Sequence, residues 1–273
     1  MSIPLKGSLV LIGAGKMGGA MLEGWLAAGV DPRQVAALDP APPQEVADLI
    51  ARHAVRLNPS PASITDAEVV LVAVKPQVMD AVLTPLHGLA ASKPLILSIA
   101  AGKTIASFES HFGADASVIR TIPNTPAAVG RGITAMTANA NVSPAQMELA
   151  EKLLQSIGEV VRVADESLID AATAVSGSGP AYVFYLTECL TAAAEAVGLP
   201  PDVAVKLARA TVAGSGELMR QSGIDAGTLR QNVTSPKGTT YEALQVLMAD
   251  KGLKPLMTEA VKAATRRSRE LAS

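Results

Sequence analysis

Short apolar runs recur through the first part of the chain, at residues 9–12, 35–38, 69–74, 95–99 and 118–119, each too short for a helix. The segments between them are long enough for crossover helices, so the rhythm predicts a βαβ succession. Residues 69–74 read Val-Val-Leu-Val-Ala-Val, without polar alternation. Both faces of that strand should therefore be covered, as in a parallel sheet. The run at 9–12 ends at Gly13-Ala14-Gly15-Lys16-Met17-Gly18, which opens an amphipathic stretch to Ala28, with Gly29 as the C′ stop. Ser143-Pro144-Ala145-Gln146 reads as a capping box with proline in the first helical position. Gly158 should end that helix, and residues 160–163 follow as a last strand.

Beyond residue 163 the texture changes. Strand-like runs give way to alanine- and leucine-rich stretches at 166–175, 180–197, 201–222, 239–250 and 253–271. The fold class expected is α/β: a Rossmann-type, doubly wound sheet over residues 1–163, followed by an all-helical domain over 164–273. No internal repeat or low-complexity linker interrupts this division.

Composition narrows the classes. A chain of 273 residues with 49% apolar and 18% charged residues can bury a real core and is not disordered. Its net charge is −2, spread as −1 on each part, which is no footprint for nucleic acid. One cysteine, Cys189, allows no internal disulfide, and His53, His87 and His111 show no metal-ligand spacing. The amino-terminal residues lack the pattern of a signal peptide and no 18-residue apolar span occurs. We expect a cytoplasmic protein without metal, membrane or nucleic-acid partner. Aromatics at only 3%, with abundant alanine, let helices pack closely and hint at a helical interface.

The candidate chemistry starts at the glycines. In the spacing Gly13, Gly15, Gly18, a strand can turn sharply, bring backbone close to phosphate oxygens and pack its helix tightly. The helix start then offers N–H groups and partial positive charge to a pyrophosphate. Asp39, 21 residues past Gly18 at the end of the second strand, suits a ribose 2′-hydroxyl and would repel a 2′-phosphate, which favours NADH. Pro40-Ala41-Pro42-Pro43 holds no arginine to reverse that, although Arg52 or Arg56 could fold back. Lys75 and Ala101 follow strand ends on the edge where such sheets bind ligands. In the helical part, residues 176–180 and 232–240 read, taken singly, as helix-capping loops. The hydroxyls and N–H groups of the second, Ser235 and Gly238 included, also make a candidate nest for a carboxylate.

Together, the glycine loop, Ala73-Val74-Lys75-Pro76, Ala100-Ala101-Gly102, Asn124-Thr125-Pro126, Leu168-Ile169-Asp170-Ala171, residues 176–182 and residues 232–240 resemble pyrroline-5-carboxylate reductase, nearly end to end. The resemblance implies the last step of proline biosynthesis, with NADPH or NADH as cofactor. It also implies a homodimer interlocked through the helical domains, which can assemble further into a decamer. By resemblance, Ile12, Gly13, Ala14, Gly15, Lys16, Met17, Val74, Lys75, Ala101 and Asn232 contact the cofactor, and Glu166, Thr239 and Thr240 contact substrate or product. Two positions depart from the family. Asp39-Pro40 stands where a serine or basic stretch suits NADPH, and a family asparagine falls near Ser60-Pro61, with Asn58 out of register.

A cyclic imine needs a hydride at carbon and a proton at nitrogen, so such a protein mainly orients and polarises. The substrate carboxylate would dock near Gly238, Thr239 and Thr240, with Thr240 as the catalytic residue at the ring nitrogen and Glu166 as a polar contact. Two other classes compete. A β-hydroxyacid enzyme would want a lysine in the helical half, for which Lys237 is the nearest candidate, and an NAD-sensing regulator would not need the carboxylate nest.

Overall fold

The computed structural model describes residues 3–272. Among these, eight strands form one sheet: β1 (Ser8–Ile12), β2 (Val35–Leu38), β3 (Arg56–Leu57), β4 (Ala67–Val72), β5 (Leu95–Ser98), β6 (Ser117–Ile122), β7 (Gly132–Ala138) and β8 (Gly158–Arg162). Their order is β3-β2-β1-β4-β5-β6-β7-β8. All neighbours are parallel except β6 and β7. The chain leaves β1 toward β2 on one side and returns to β4 on the other, which opens a crevice at the carboxyl ends of β1 and β4.

The unbroken apolar runs have the cause expected. Side chains alternate between the two faces of a strand, and here both faces are dry. Leu9 and Leu11 point to a core with Met21, Leu22 and Trp25 of α1 (Lys16–Ala27), which also holds Ala150, Leu153 and Leu154 from further along the chain. Val10 and Ile12 point to the opposite core, with Met79, Leu83, Phe108 and Phe112. The helices after β2 complete the wrapping: α2 (Gln44–His53), α3 (Met79–Leu83), α4 (Ile105–Phe112) and α5 (Pro144–Gln155). Gly29 takes φ +83° just past α1, and Trp25 donates its indole N–H to Leu153 O at 3.0 Å. The capping box forms: Ser143 Oγ accepts from Gln146 N, and Gln146 Oε1 accepts from Ser143 N at 2.9 Å.

Gly158 does not end α5. The helix stops at Gln155, and Gly158 opens β8 with φ +149°, where a Cβ would stand 1.9 Å from Gly132 O. The glycine serves strand contact. Two strands, β3 and β7, fall outside the runs that periodicity predicts, and β7 runs against β6.

The described chain packs as two compact units, residues 178–263 forming one and the remainder the other. The sheet unit includes α6 (Leu168–Ala172), whose Ile169 is buried with Ile122 and Ala135. A π-helical turn, Thr173–Gly177, follows. The helical unit holds α7 (Gly179–Ala196), α8 (Pro201–Ser222), α9 (Ala226–Asn232), α10 (Thr239–Leu247) and most of α11 (Leu253–Ala272). Within it α7 packs on α8, and Ala204 and Ala208, four apart on one face of α8, are its buried residues. By contrast Phe184, Tyr185 and Leu186 on α7, and Val246 and Leu247 on α10, are exposed. Among the described residues no helix is long and apolar enough to cross a membrane.

Candidate functional site

Each glycine of the first turn has its own task. Gly13 takes φ +91°, and a Cβ there would stand 2.8 Å from Ala73 O and 2.9 Å from Val74 Cγ1. A Cβ on Gly18 would lie 2.2 Å from Gly13 O, so this glycine lets α1 seat against the turn. Gly15 differs: nothing lies within 4 Å of its Cβ position. It leaves bare backbone facing open space at the helix start. Gly15 is the N-cap of α1, with no side-chain cap and no acidic residue in the first turn. The N–H groups of Lys16 and Met17 are thus offered with the helix dipole behind them, a fit for the pyrophosphate of a dinucleotide.

The other predicted residues of the sheet unit lie along the same edge. Gly13 N donates to Leu38 O at 2.9 Å, Ala73 N to Ile12 O at 2.8 Å and Ile99 N to Val72 O at 3.1 Å. These bonds align the carboxyl ends of β2, β1, β4 and β5. Along that line follow Asp39, the loop from Ile12 to Met17, Val74 with Lys75, and Ala101. Lys75 and Ala101 are exposed and Val74 is half-buried. Gly102, beside Ala101, takes φ +75°, and a Cβ there would meet Leu271 O at 2.9 Å. Asp39 is held on all sides. Its Oδ2 accepts from Ala14 N at 2.7 Å and its Oδ1 from Ala41 N at 2.9 Å. Its backbone N–H donates to Asn58 Oδ1, and its carbonyl accepts from Asn58 Nδ2, both at 2.8 Å.

Glu166 lies in the sheet unit too, in a structural setting. Its Oε1 accepts from Ile105 N at 2.8 Å and from Arg120 Nη1 at 2.9 Å. Ile105 begins α4, directly after the turn that carries Ala101, so Glu166 pins that turn. Asn124, from the loop after β6, accepts from Ile133 N at 2.9 Å and ties β7 to that loop.

The remaining predicted residues form their own cluster in the helical unit. Asn232 ends α9, and Ser235 to Gly238 make a tight turn closed by Gly238 N donating to Ser235 O at 3.1 Å. Lys237 in that turn takes φ +58°, a conformation that favours glycine. A Cβ on Gly238 would stand 2.4 Å from Ser235 Oγ, so the turn needs a glycine there. Gly238 is the N-cap of α10 and no side chain caps the helix. Thr239 and Thr240 are its first two residues; Thr240 is therefore inside the helix and is not its cap. Thr239 is exposed and Thr240 half-buried.

Two residues of consequence escaped the motifs. Asn58 directly follows β3 with φ +49°, a left-handed conformation that asparagine accepts more readily than most side chains. Arg120 interrupts the apolar run of β6, and a charge in a strand covered on both faces calls for a partner.

The comparisons with known proteins follow the same division. A family model described as "NADP oxidoreductase coenzyme F420-dependent" matches residues 8–102, and one described as "Pyrroline-5-carboxylate reductase dimerisation" matches residues 166–271. A pyrroline-5-carboxylate reductase of Pseudomonas aeruginosa is 41% identical over 265 residues, covering 97% of this chain and 96% of its own. Among solved structures, a pyrroline-5-carboxylate reductase from Coxiella burnetii superposes with a TM-score of 0.91 at 33% identity, covering 98% of this chain and 100% of the other. The Plasmodium falciparum pyrroline carboxylate reductase with NADP bound gives 0.81 at 27% identity, covering 98% and 99%. A glycine-loop sheet unit, a helical unit and likeness along almost the whole length agree, and the chain belongs to the pyrroline-5-carboxylate reductase family.

Proposed function

We propose that this protein reduces the C=N bond of 1-pyrroline-5-carboxylate with NAD(P)H to give L-proline, the last step of proline biosynthesis. The full-length likeness to curated reductases of that name carries this reading. When bound, the reduced nicotinamide supplies a hydride to the ring carbon, and the ring nitrogen takes a proton.

The chain's own residues bind and orient. The uncapped start of α1 holds the pyrophosphate; Val74, Lys75 and Ala101 border the rest of the cofactor, and Asn232 contributes from the helical unit. The substrate carboxylate docks at Gly238, Thr239 and Thr240, on the N–H groups of the two threonines, with Ser235 shaping the turn beneath them. The absence of a side-chain cap on α10 supports this assignment, because the N–H groups of Thr239 and Thr240 remain open to an anion while that of Gly238 closes the turn on Ser235 O. Thr240 hydrogen-bonds the ring nitrogen and relays its proton. Glu166 adds a polar contact near the ring through its remaining carboxylate oxygen. Residues 1–163 serve as the nucleotide-binding domain and 164–273 as the dimerisation and substrate domain. The exposed apolar side chains of α7 and α10 support a homodimer through the helical domain, with a decamer as the higher assembly. Cys189 is a free thiol, in keeping with a reducing cytoplasm.

The test is oxidation of NADH and of NADPH followed by absorbance in the presence of 1-pyrroline-5-carboxylate. Substrate-dependent loss of reduced nicotinamide with proline as product is the expected result. Dinucleotide binding without turnover would instead favour the regulator.

A further inference from the structure

We infer that this reductase selects the dinucleotide without a 2′-phosphate, NADH, and that Asn58 is the positioning residue for that choice, acting through Asp39. The inference rests on the glycine loop being a dinucleotide site, and it goes beyond it by naming which dinucleotide and why.

The carboxylate of Asp39 stands at the end of β2, where the adenosine ribose of a dinucleotide lies in this fold. A 2′-phosphate there needs N–H donors and a cation. The donors are already taken by an anion: Ala14 N and Ala41 N donate to the two oxygens of Asp39 at 2.7 Å and 2.9 Å. Pro40, Pro42 and Pro43 have no N–H to add. The cations are turned elsewhere. Arg56 donates from Nη2 to Ser8 Oγ at 3.0 Å, at the start of β1, the opposite edge of the sheet. Arg52 is in the last turn of α2, which runs back toward that same far edge, while the first turn of α2 carries Glu45. A phosphate would meet a carboxylate with neither arginine to offset it, whereas a ribose hydroxyl can donate to the free lone pairs of Asp39.

What keeps Asp39 there is Asn58. Its amide grips both the N–H and the C=O of Asp39 at 2.8 Å, as a neighbouring strand would. Its own N–H donates to Ala37 O at 2.8 Å. β3 is only two residues long, and the Asn58 side chain extends its pairing by one more step. Loss of this grip frees the strand end and lets the carboxylate leave the loop N–H groups.

Calorimetric binding of NADH and of NADPH to the full-length protein tests this, with Asp39→Asn and Asn58→Gly beside the wild type. Asparagine keeps the shape of Asp39 and removes its charge. Glycine accepts the left-handed backbone of residue 58 and removes the amide. Wild type should bind NADH at least about tenfold more tightly, the size of one unscreened charge contact. Both variants should move the NADH to NADPH ratio toward parity. Equal or tighter binding of NADPH by wild type, or an unchanged ratio in Asp39→Asn, overturns the selection. If Asn58→Gly weakens both dinucleotides equally, the positioning role falls, and should that variant fail to fold, Asp39→Asn still decides the selection. Tighter NADPH binding with intact turnover overturns only this inference; binding of neither dinucleotide overturns the dinucleotide site as well.

Discussion

The guanidinium of Arg120 lies 2.9 Å from Glu166 through Nη1 and 3.8 Å from Asp170 through Nη2, with its side chain only 4% exposed. One buried cation thus serves two carboxylates. Asp170 also accepts from Ser268 Oγ at 2.7 Å, and Glu166 accepts from the start of α4. A strand, the turn bearing Ala101, α6 and the last turns of α11 are joined through this cluster.

Removing the cation should therefore be severe. Arg120→Ala leaves buried Asp170 without its countercharge, and breaking such a pair costs about 3–5 kcal/mol. Urea denaturation should read that loss. Glu166→Gln, which keeps an oxygen for Ile105 N, should cost about 1 kcal/mol or less. A rise in its KM for the imine would add a substrate contact to the structural one, and an unchanged KM would leave only the latter.

The glycine loop separates folding from binding at neighbouring positions. Gly13→Ala forces an alanine to φ +91° against Ala73 O, a strain of about 1–3 kcal/mol, and should lower Tm and dinucleotide binding together. Gly15→Ala puts its methyl into open space. Tm should hardly move, while quenching titrations with NADH show weaker binding, because the methyl stands where a phosphate must approach.

For Thr240 the readouts also part. It is the second residue of a helix whose N-cap is Gly238, so Thr240→Ala should change stability by under about 0.5 kcal/mol. Loss of its hydrogen bond to a reacting nitrogen should lower kcat/KM by about 10- to 100-fold, and Thr240→Ser should recover most of it. Full turnover in the alanine variant would remove Thr240 from the reaction.

In acid, one surface pair should register. The side-chain hydrogen bond from Arg162 holds the Glu151 carboxyl below its usual range, with burial opposing it. A carboxyl lowered on folding contributes stability that is full above its unfolded pKa of about 4.3 and lost as pH falls through the lower folded value. Glu151→Gln should therefore be less stable than wild type at neutral pH, and the two curves of Tm against pH should converge below about pH 4. Parallel curves would deny the pair any role.

The apolar surface of α7 predicts assembly. Phe184 is 62% exposed in the single chain and adjoins exposed Tyr185 and Leu186. Phe184→Asp should shift sedimentation from dimer toward monomer, while dinucleotide binding persists, since every residue of the glycine loop lies in the other compact unit.

How far the sequence reached depended on how far along the chain each cause acts. The turn at Gly13, the cap at Ser143 and the doubly covered strands follow from φ preferences, hydrogen bonds between near neighbours and side-chain periodicity. These express themselves within one element and its flanks, so they were legible residue by residue. The antiparallel β7, the use of Gly158 against Gly132, the amide of Asn58 on Asp39 and the meeting of Arg120, Glu166 and Asp170 with Ser268 were decided only in three dimensions. Ser268 and Asp170 stand 98 positions apart. No local pattern carries such a pairing, because a buried charge states its need for a partner while only the packed chain determines which group supplies it.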